Sequence, residues 1–253
     1  MNLAFTTDLA RDYSSASQVQ RVLTESWLER NGYCPSCGKN IEHYANNQPV
    51  ADFFCSYCAE DFELKSKGSA FGMKIIDGAY STMIERLQSA QNPNFFLLEH
   101  DGISIQNLVI IPKHFFTPRI VEQRKPLSKS ARRAGWIGCN INISHIPANG
   151  KINYVKDRVV TPHEVVLEKW QKTVFLLEEK EQTAKNWLLD VMGCIDAIHS
   201  DSFSLADMYT FEQRLSELHP NNRHVRDKIR QQLQKLRDYG YISFSSRGNY
   251  KKR

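Results

Sequence analysis

Two cysteine pairs constrain the fold of this 253-residue chain more than any other feature. They are Cys34-Pro35-Ser36-Cys37 and Cys55-Ser56-Tyr57-Cys58. Each Cys-x-x-Cys turn presents two thiolates to one edge of a tetrahedron, and two such turns close a four-thiolate zinc site. Because cysteine fills all four positions, none remains for water, and the predicted zinc is structural rather than catalytic.

The competing interpretation of these cysteines is a set of disulfides. Disulfides persist in oxidising compartments, which secreted proteins reach through an apolar signal segment. The first residues, MNLAFTTDLARDY, contain no such segment. We therefore expect a cytoplasmic protein with reduced, zinc-binding cysteines.

A pattern of charged residues surrounds the second cysteine pair. Pro49-Val50-Ala51-Asp52 precedes the pair, and Glu63-Leu64-Lys65 follows it. If the two segments form neighbouring antiparallel strands, Asp52 and Glu63 can together hold one Mg²⁺ against a scissile phosphate. Lys65 lies two residues after Glu63, and so on the same face of the strand, where its ammonium can orient water or offset developing charge. The hydrolytic metal is expected to differ from the zinc because its ligands are oxygens.

Apolar neighbours favour this interpretation over an ordinary solvated hairpin. The two residues after Asp52 are phenylalanines, and Glu63 lies between Phe62 and Leu64. A charge within such an apolar run is costly to bury unless it is paired or bound to metal. An exposed polar hairpin face, with all three charged side chains merely solvated, is the alternative that the pattern leaves open.

Hydrophobic periodicity predicts an α/β order in the first part of the chain. Helices are expected from Ala16 to Arg30 and from Asp77 to Leu87, and strands from Phe95 to Leu98 and from Leu108 to Ile111. With the two strands that carry the carboxylates, this is the order of an α/β nuclease core.

The middle of the chain is less regular. Residues from Lys113 to Arg133 are rich in Pro, Lys and Arg and predict loops; strands are expected from Trp136 to Ile143 and from Ile152 to Val155. Thr161-Pro162 favours a helix start, with the helix running to about Leu177, and the polar segment 178–185 is the expected linker.

The last part of the sequence predicts three helices and a β-hairpin. The helices are expected from Trp187 to Ile198, from a Ser204 cap to about Leu218, and from Asn222 to Tyr239, followed by a two-stranded wing over residues 240–252. This order is typical of a winged helix. We therefore predict an endonuclease domain over residues 1–180 and a winged-helix DNA-binding domain over residues 181–253.

Charge is distributed unevenly and favours DNA as the partner. From Pro220 to the C-terminus ten Lys/Arg stand against two Asp, a net charge of +8, which leaves −3 for the rest of a chain whose total is +5. Such asymmetry is typical of a phosphate-binding module. In a winged helix the third helix enters the major groove. The predicted contacts are Asn221, Asn222, Arg223, His224, Arg226 and Lys228 at that helix, with Arg247 and Lys251 in the wing.

A protein-interaction winged helix with a solvated basic face is the alternative to DNA binding. No apolar run approaches the length needed to span a bilayer, so no membrane partner is expected.

Longer motifs resemble those of the DpnI family of methyl-directed restriction endonucleases over nearly the whole chain. They are Tyr33-Cys34-Pro35-Ser36-Cys37-Gly38, Asn47-Gln48-Pro49-Val50-Ala51-Asp52-Phe53, Phe62-Glu63-Leu64-Lys65-Ser66-Lys67, Asp77-Gly78-Ala79-Tyr80, Ala131-Arg132-Arg133-Ala134-Gly135-Trp136-Ile137-Gly138-Cys139-Asn140 and Ile229-Arg230-Gln231-Gln232-Leu233. The resemblance implies an α/β fold: a PD-(D/E)XK restriction-endonuclease-like core with an inserted four-cysteine zinc site, followed by a C-terminal winged helix. It also implies a Mg²⁺-dependent type II site-specific deoxyribonuclease that cleaves double-stranded DNA at GATC sites containing N6-methyladenine.

The same resemblance assigns roles to residues. By motif, Asp52, Glu63 and Lys65 are catalytic, with Asp52 and Glu63 as Mg²⁺ ligands, and Cys34, Cys37, Cys55 and Cys58 bind structural Zn²⁺. In that family both domains read the methylated sequence, and the core does so partly through an aromatic residue in the region that matches Trp136. Arg132 and Arg133 lie beside it in the sequence and complete the predicted DNA contacts of the core. A buried core tryptophan is the alternative for Trp136.

Two other classes of function stay open at this stage. One is a DNA-binding regulator with an inactive nuclease-like core, which would leave DNA intact. The other is a structure-specific repair nuclease, which would prefer junctions to linear duplexes. We expect the protein to act as a monomer.

Overall fold

The computed structural model describes residues 1–45, 51–89 and 91–253 and divides the chain into two compact units. One unit comprises Met1–Ser144 and Asn149–Gln171; the other comprises His145–Ala148 and Lys172–Arg253. Residues 47–50, which belong to the predicted motif before Asp52, lie outside the described residues.

The first unit is a mixed α/β structure, as the sequence predicts. Its helices and strands are, in chain order, α1 (Ala16–Asn31), β1 (Glu42–His43), β2 (Phe53–Phe54), β3 (Asp61–Lys67), β4 (Lys74–Ala79), α2 (Tyr80–Gln88), β5 (Asn94–His100), β6 (Ile105–Ile111), β7 (Val121–Gln123), β8 (Gly138–Asn142), β9 (Ile152–Lys156), β10 (Val159–Val160) and α3 (His163–Gln171). The connection from β5 to β6 turns at Gly102, whose positive φ of 94° suits glycine.

The larger sheet forms the centre of this unit. Its order among the described strands is β1-β2-β3-β5-β6-β9-β10, with β3 and β5 parallel and the other pairs antiparallel. Strand β5 is buried along almost its whole length, which explains its continuous apolar run Phe95–Leu98. Strand β3 therefore lies between the buried strand β5 and strand β2. Pairing on both sides fixes the face of the sheet on which each of its side chains lies.

A smaller antiparallel sheet has the order β4-β8-β7. It corrects the prediction of a helix from Asp77, because Asp77 lies in β4 opposite Cys139 of β8, and the helix begins only at Tyr80. The predicted helix is present, but the three residues before Tyr80 belong to β4, which pairs with β8. The predicted loop segment 113–133 likewise contains a strand, β7, which pairs with β8.

Two predicted boundaries near the middle of the chain also move. Helix α3 ends at Gln171 rather than near Leu177, and a separate 3-10 turn covers Val174–Leu177. The first helix of the second unit begins at Gln182, inside the predicted polar linker. Hydrophobic periodicity identifies the apolar face of a helix but not the residue at which the helix begins or ends.

The second unit has the element order of a winged helix. Its elements are α4 (Gln182–Ala197), β11 (Ser202–Ser204), α5 (Leu205–Tyr209), α6 (Glu212–Leu218), α7 (Val225–Asp238), β12 (Ile242–Ser246) and β13 (Asn249–Lys252). The predicted second helix is broken into α5 and α6, and the predicted two-stranded wing gains β11 as a third strand in the order β11-β13-β12. Ser204 caps α5 as predicted, in a capping box with Asp207.

Helix α7 packs through Val225, Ile229, Leu233 and Leu236, as predicted. It begins at Val225 rather than Asn222, so that four of the predicted contact residues, Asn221, Asn222, Arg223 and His224, precede its first turn. Among the described residues, none of the helices combines the length and the apolar character that crossing a membrane requires.

Candidate active site, metal centre and nucleic-acid interface

The hairpin of β2 and β3 positions the predicted carboxylates. Asp52 immediately precedes β2, and its backbone N–H donates to the carbonyl of Phe62 across the hairpin at 3.0 Å. Its side-chain Oδ2 accepts a hydrogen bond from the backbone N–H of Leu64 at 2.7 Å. The carboxylate of Asp52 is therefore held against β3, next to the segment that carries Glu63.

Glu63 and Lys65 share one face of β3, as strand alternation predicts. Their side chains form an ion pair of 2.5 Å between Lys65 Nζ and Glu63 Oε1. Both are largely withdrawn from solvent, with 16% and 21% of the side-chain surface exposed. Neither is a freely solvated surface charge, which argues against the exposed polar hairpin.

Two residues that the sequence did not single out as functional complete the site. Asp77 on β4 accepts a hydrogen bond from Lys65 Nζ at 2.7 Å, and Arg86 on α2 lies 3.5 Å from Glu63. A cavity of about 340 Å³ is lined by the following residues: Ala51, Asp52, Glu63, Lys65, Asp77, Gly78, Ala79, Thr82, Met83 and Arg86. The structure thus brings the three predicted catalytic side chains together in one open cavity.

For Glu63 and for Lys65, burial and the opposite charge of the partner shift the pKa in opposing directions. Burial raises the pKa of Glu63, attraction to Lys65 opposes that rise, and the negative charges of Asp77 and Asp52 add to it. Burial tends to lower the pKa of Lys65, but the carboxylates of Glu63 and Asp77 outweigh burial and raise the pKa above its ordinary value. Lys65 is therefore an ammonium at neutral pH, suited to donating hydrogen bonds rather than accepting a proton.

The donor set fits a hard divalent cation. Glu63 is a buried carboxylate whose ionised form is disfavoured by burial and by two neighbouring negative charges, and a cation would relieve that cost. Carboxylate oxygens of this kind are the ligands that Mg²⁺ prefers. Asp52 and Glu63 are the residues that would hold such an ion.

The four cysteines of the two Cys-x-x-Cys turns form the metal cluster predicted from the sequence. Their Sγ atoms all lie within 4.8 Å of one another. Sγ of Cys34 is 3.4 Å from Sγ of Cys58, and Sγ of Cys37 is 3.5 Å from Sγ of Cys55. A tetrahedral zinc with Zn–S bonds of about 2.3 Å requires sulfurs roughly 3.8 Å apart, so the cluster fits that ion.

Local backbone structure explains why these cysteines converge. In each turn a backbone N–H four residues on, at Gly38 and Ala59, donates to the carbonyl of the first cysteine, at 2.8 and 2.9 Å. Both residues have positive φ, 76° and 57°. The second turn is the loop of the β2–β3 hairpin itself, so a metal in the cluster would brace the hairpin that carries Asp52 and Glu63.

Trp136 lies in the connection between β7 and β8. The backbone N–H of Leu127 donates to the carbonyl of Trp136 at 2.9 Å, which closes this connection. The ring is half-buried rather than a core residue, and the guanidinium of Arg133 lies 4.7 Å from its centre. Arg132 is exposed beside it. Trp136 is therefore partly exposed beside two arginines, in the connection that leads into the central strand β8.

Gly138 is needed for that placement of the ring. A Cβ at this position would lie 2.8 Å from Cη2 and 2.9 Å from Cζ3 of Trp136, closer than real side chains approach. Glycine at position 138 thus leaves the space that the ring of Trp136 occupies at the start of β8.

The predicted contacts of the second unit gather at the start of α7 and in the wing. Most are exposed: Asn221, Arg223, His224, Arg226, Arg247 and Lys251. Asn222 and Lys228 are half-buried, and Asn222 Oδ1 accepts from the backbone N–H of His224 at 2.8 Å, so it shapes the start of the helix. Arg226 pairs with Glu212 at 2.7 Å and lies over the ring of Tyr209, so it is less free than the sequence suggested.

The fold and these sites together define a PD-(D/E)XK restriction-endonuclease-like core with a four-cysteine metal cluster, followed by a winged-helix domain. Comparison with known protein families agrees: the model described as "DpnI: Dam-replacing family" matches residues 1–179, and the "Dam-replacing HTH domain" matches residues 183–252. The chain belongs to the Dam-replacing family. Membership supports a methylation-dependent nuclease with a DNA-binding helix-turn-helix domain.

Proposed function

We propose that this protein is a type II restriction endonuclease that hydrolyses phosphodiester bonds of double-stranded DNA at GATC sites containing N6-methyladenine. The observation that carries the proposal is the convergence of Asp52, Glu63 and Lys65 in one cavity of a restriction-endonuclease-like core. Membership of a methylation-dependent nuclease family supports the choice of substrate class.

The geometry of the cavity supports a catalytic role for each of these side chains. Asp52 and Glu63 would hold Mg²⁺, which when bound activates water and offsets charge on the scissile phosphate. Lys65 donates hydrogen bonds from an ammonium that its carboxylate neighbours keep protonated. It can therefore orient the attacking water or stabilise charge that develops on the phosphate oxygens. Arg86, which lines the same cavity, supplies a second positive charge.

Reading of the methyl group requires an apolar surface, because a methyl group offers no hydrogen bond. We assign this role in the core to Trp136, with Arg132 and Arg133 as phosphate contacts. Burial of one methyl contributes roughly 1 kcal/mol, so two methyls of a palindromic site give about a tenfold to hundredfold preference in one domain. A second domain with its own preference would multiply that factor.

We assign cleavage to the domain of residues 1–180 and DNA binding to the domain of residues 181–253. The start of α7 would read bases through Arg223 and His224, with Asn221, Asn222, Arg226 and Lys228 around them. Arg247 and Lys251 in the wing would contact phosphates. The net charge of +8 from Pro220 onward supplies the electrostatic attraction.

A panel of labelled substrates tests the proposal against its alternatives. Methylated GATC, unmethylated GATC and scrambled duplexes, and a four-way junction, are incubated with the purified protein and Mg²⁺, with Asp52→Asn as the inactive control. We expect cleavage of the methylated duplex. Binding without cleavage of any substrate indicates a DNA-binding regulator, and preferential cutting of the junction indicates a repair nuclease.

A further inference from the structure

Asp77, which is not one of the three predicted catalytic residues, contacts the predicted catalytic lysine. Its Oδ1 accepts a hydrogen bond from Lys65 Nζ at 2.7 Å, while Glu63 Oε1 lies 2.5 Å from the same nitrogen. Only 9% of the Asp77 side chain is exposed, less than either of the other two. The ammonium of Lys65 is thus held between a carboxylate of its own strand and one from elsewhere in the fold.

The second carboxylate comes from a different sheet. Asp77 lies in β4, paired with Cys139 of β8, whereas Lys65 lies in β3 of the larger sheet. The backbone N–H of Tyr80, just after β4, donates to the carbonyl of Ile137 at 3.1 Å, so this end of β4 is tied on both sides of Asp77 to the strand that follows Trp136. Asp77 is therefore fixed by backbone pairing, independently of the β2–β3 hairpin.

A fixed second acceptor matters because Glu63 has two tasks in the proposed mechanism. If an oxygen of Glu63 coordinates a cation, the positive charge of that cation offsets the charge of the carboxylate. The attraction between Glu63 and the ammonium of Lys65 is then weaker. Asp77 has no place in the proposed Mg²⁺ set, so its carboxylate would still be available to the ammonium of Lys65 when Glu63 holds the cation.

We propose that Asp77 is a positioning residue that holds the ammonium of Lys65 at the cleavage site from the second sheet. The proposal rests on the proposed nuclease function for its effect on rate, but the contact itself does not depend on that function. Loss of Asp77 should therefore change Lys65 in the resting protein as well as the rate of cleavage.

The resting protein gives the first test. Asp77→Asn keeps the shape of the side chain and removes its charge; the matched control is Glu122→Gln, which removes the carboxylate partner of Lys74 on the same small sheet. Full-length protein is treated with an amine-acylating reagent, and modification of Lys65 is read by peptide mass spectrometry. We expect the initial rate of acylation of Lys65 to rise at least about threefold in Asp77→Asn, because Nζ loses one of the two carboxylates that hold it, and to stay unchanged in Glu122→Gln.

Cleavage under single-turnover conditions gives the second test. Asp77→Asn should lower the rate at saturating enzyme at least about tenfold, with DNA affinity, zinc content and melting temperature close to wild type. In a Lys65→Ala background the same substitution should change the residual rate by less than about twofold, because its target is gone.

The two tests distinguish failure of the positioning proposal from failure of the proposed nuclease function. Unchanged acylation of Lys65 in Asp77→Asn overturns the proposal whether or not the protein cuts DNA. Equal rate losses in the wild-type and Lys65→Ala backgrounds also overturn it, because they show a role independent of Lys65. If the wild-type protein cuts no DNA but Lys65 becomes reactive as expected, the nuclease assignment fails and the positioning contact stands.

Discussion

At the scale of residues, the site depends on charges that the fold partly buries and pairs. Asp52, Glu63 and Lys65 lie in one cavity, and Glu63 and Lys65 neutralise each other at 2.5 Å. Such a cluster is costly to assemble unless each member has a partner. The proposed function provides that partner for the carboxylates as a divalent cation.

The first prediction concerns these three side chains. Asp52→Asn, Glu63→Gln and Lys65→Ala should each lower the cleavage rate at least about a hundredfold, because each removes a group that acts on the metal or the phosphate. DNA binding should persist, since the winged helix is untouched. Single-turnover cleavage and a gel-shift titration measure the two quantities, and cutting at the wild-type rate by any of the three variants would disprove the assignment.

The second prediction concerns Trp136, to which we assign the reading of the methyl group. Gly138→Ala should displace the ring of Trp136, because the new Cβ would lie 2.8 Å from Cη2. We expect the ratio of cleavage rates on methylated and unmethylated duplexes to fall about tenfold, as it should in Trp136→Ala. Gly72→Ala, at a position with no heavy atom within 4 Å of the added Cβ, is the matched control. A preference that survives both Gly138→Ala and Trp136→Ala would remove Trp136 from the reading of the methyl group.

Residue spacing predicted part of this site. Glu63 and Lys65 are two positions apart on one strand, and strand alternation alone places them on one face. Asp77 was predicted to begin a helix, because the sequence does not report that it pairs with Cys139, far along the chain. Long-range pairing between strands is the information that a single sequence lacks.

At the scale of elements, the metal cluster and the β2–β3 hairpin depend on each other. The loop between these strands supplies Cys55 and Cys58, and the strands position Asp52 and Glu63. A structural zinc site contributes about 10–16 kcal/mol in small zinc domains, which matches or exceeds the whole stability of an ordinary domain.

The third prediction follows from that comparison. Cys58→Ser, or removal of zinc by a chelator, should unfold the nuclease unit, whereas Cys194→Ala, which removes a buried thiol of the other unit, should retain zinc. Burial raises the pKa of Cys58 to about 11, so in the metal-free protein its thiol stays protonated at neutral pH and binding of zinc must release that proton. Metal analysis and thermal unfolding under reducing conditions test this, and the absence of tightly bound zinc from purified protein would refute it.

The fourth prediction separates the recognition helix from the wing. Arg223→Ala and His224→Ala should each cost about 1–3 kcal/mol of preference for methylated GATC over a scrambled duplex. Arg247→Ala and Lys251→Ala should weaken binding to all duplexes alike and flatten the salt dependence by about one unit each. Lys252 is not among the proposed phosphate contacts, because its Nζ donates a hydrogen bond to the carbonyl of Ile198 within the fold.

Titrations of the full-length protein at two salt concentrations distinguish these effects. If Arg223→Ala and His224→Ala weaken all duplexes equally, the start of α7 anchors the protein without reading sequence, and specificity rests on the core.

The sequence predicted the existence of most elements better than their ends. The stripes that became α1, α4 and α7 were long and regular, so helical periodicity identified them. The break between α5 and α6 and the added strand β11 were not foreseen, since short elements depend on capping and cross-strand pairing rather than on a repeating pattern.

At the scale of the whole molecule, charge and fold point to the same partner. The segment from Pro220 onward carries a net +8, and it belongs to the region that matches the helix-turn-helix domain of the family. Counterion release makes binding by such a surface strongly dependent on salt and largely independent of sequence. Specificity for a methylated site must therefore come from contacts with base edges and methyl groups, in the core, in the winged helix or in both.

Digestion of one plasmid prepared from two hosts tests the central claim most directly. Purified protein with Mg²⁺ is added to plasmid from an adenine-methylating host and to the same plasmid from a non-methylating host. We predict that only the methylated plasmid is cut, into the fragments defined by its GATC sites, and that Asp52→Asn cuts neither. Equal cutting of both plasmids, or fragments that do not map to GATC, would contradict the account.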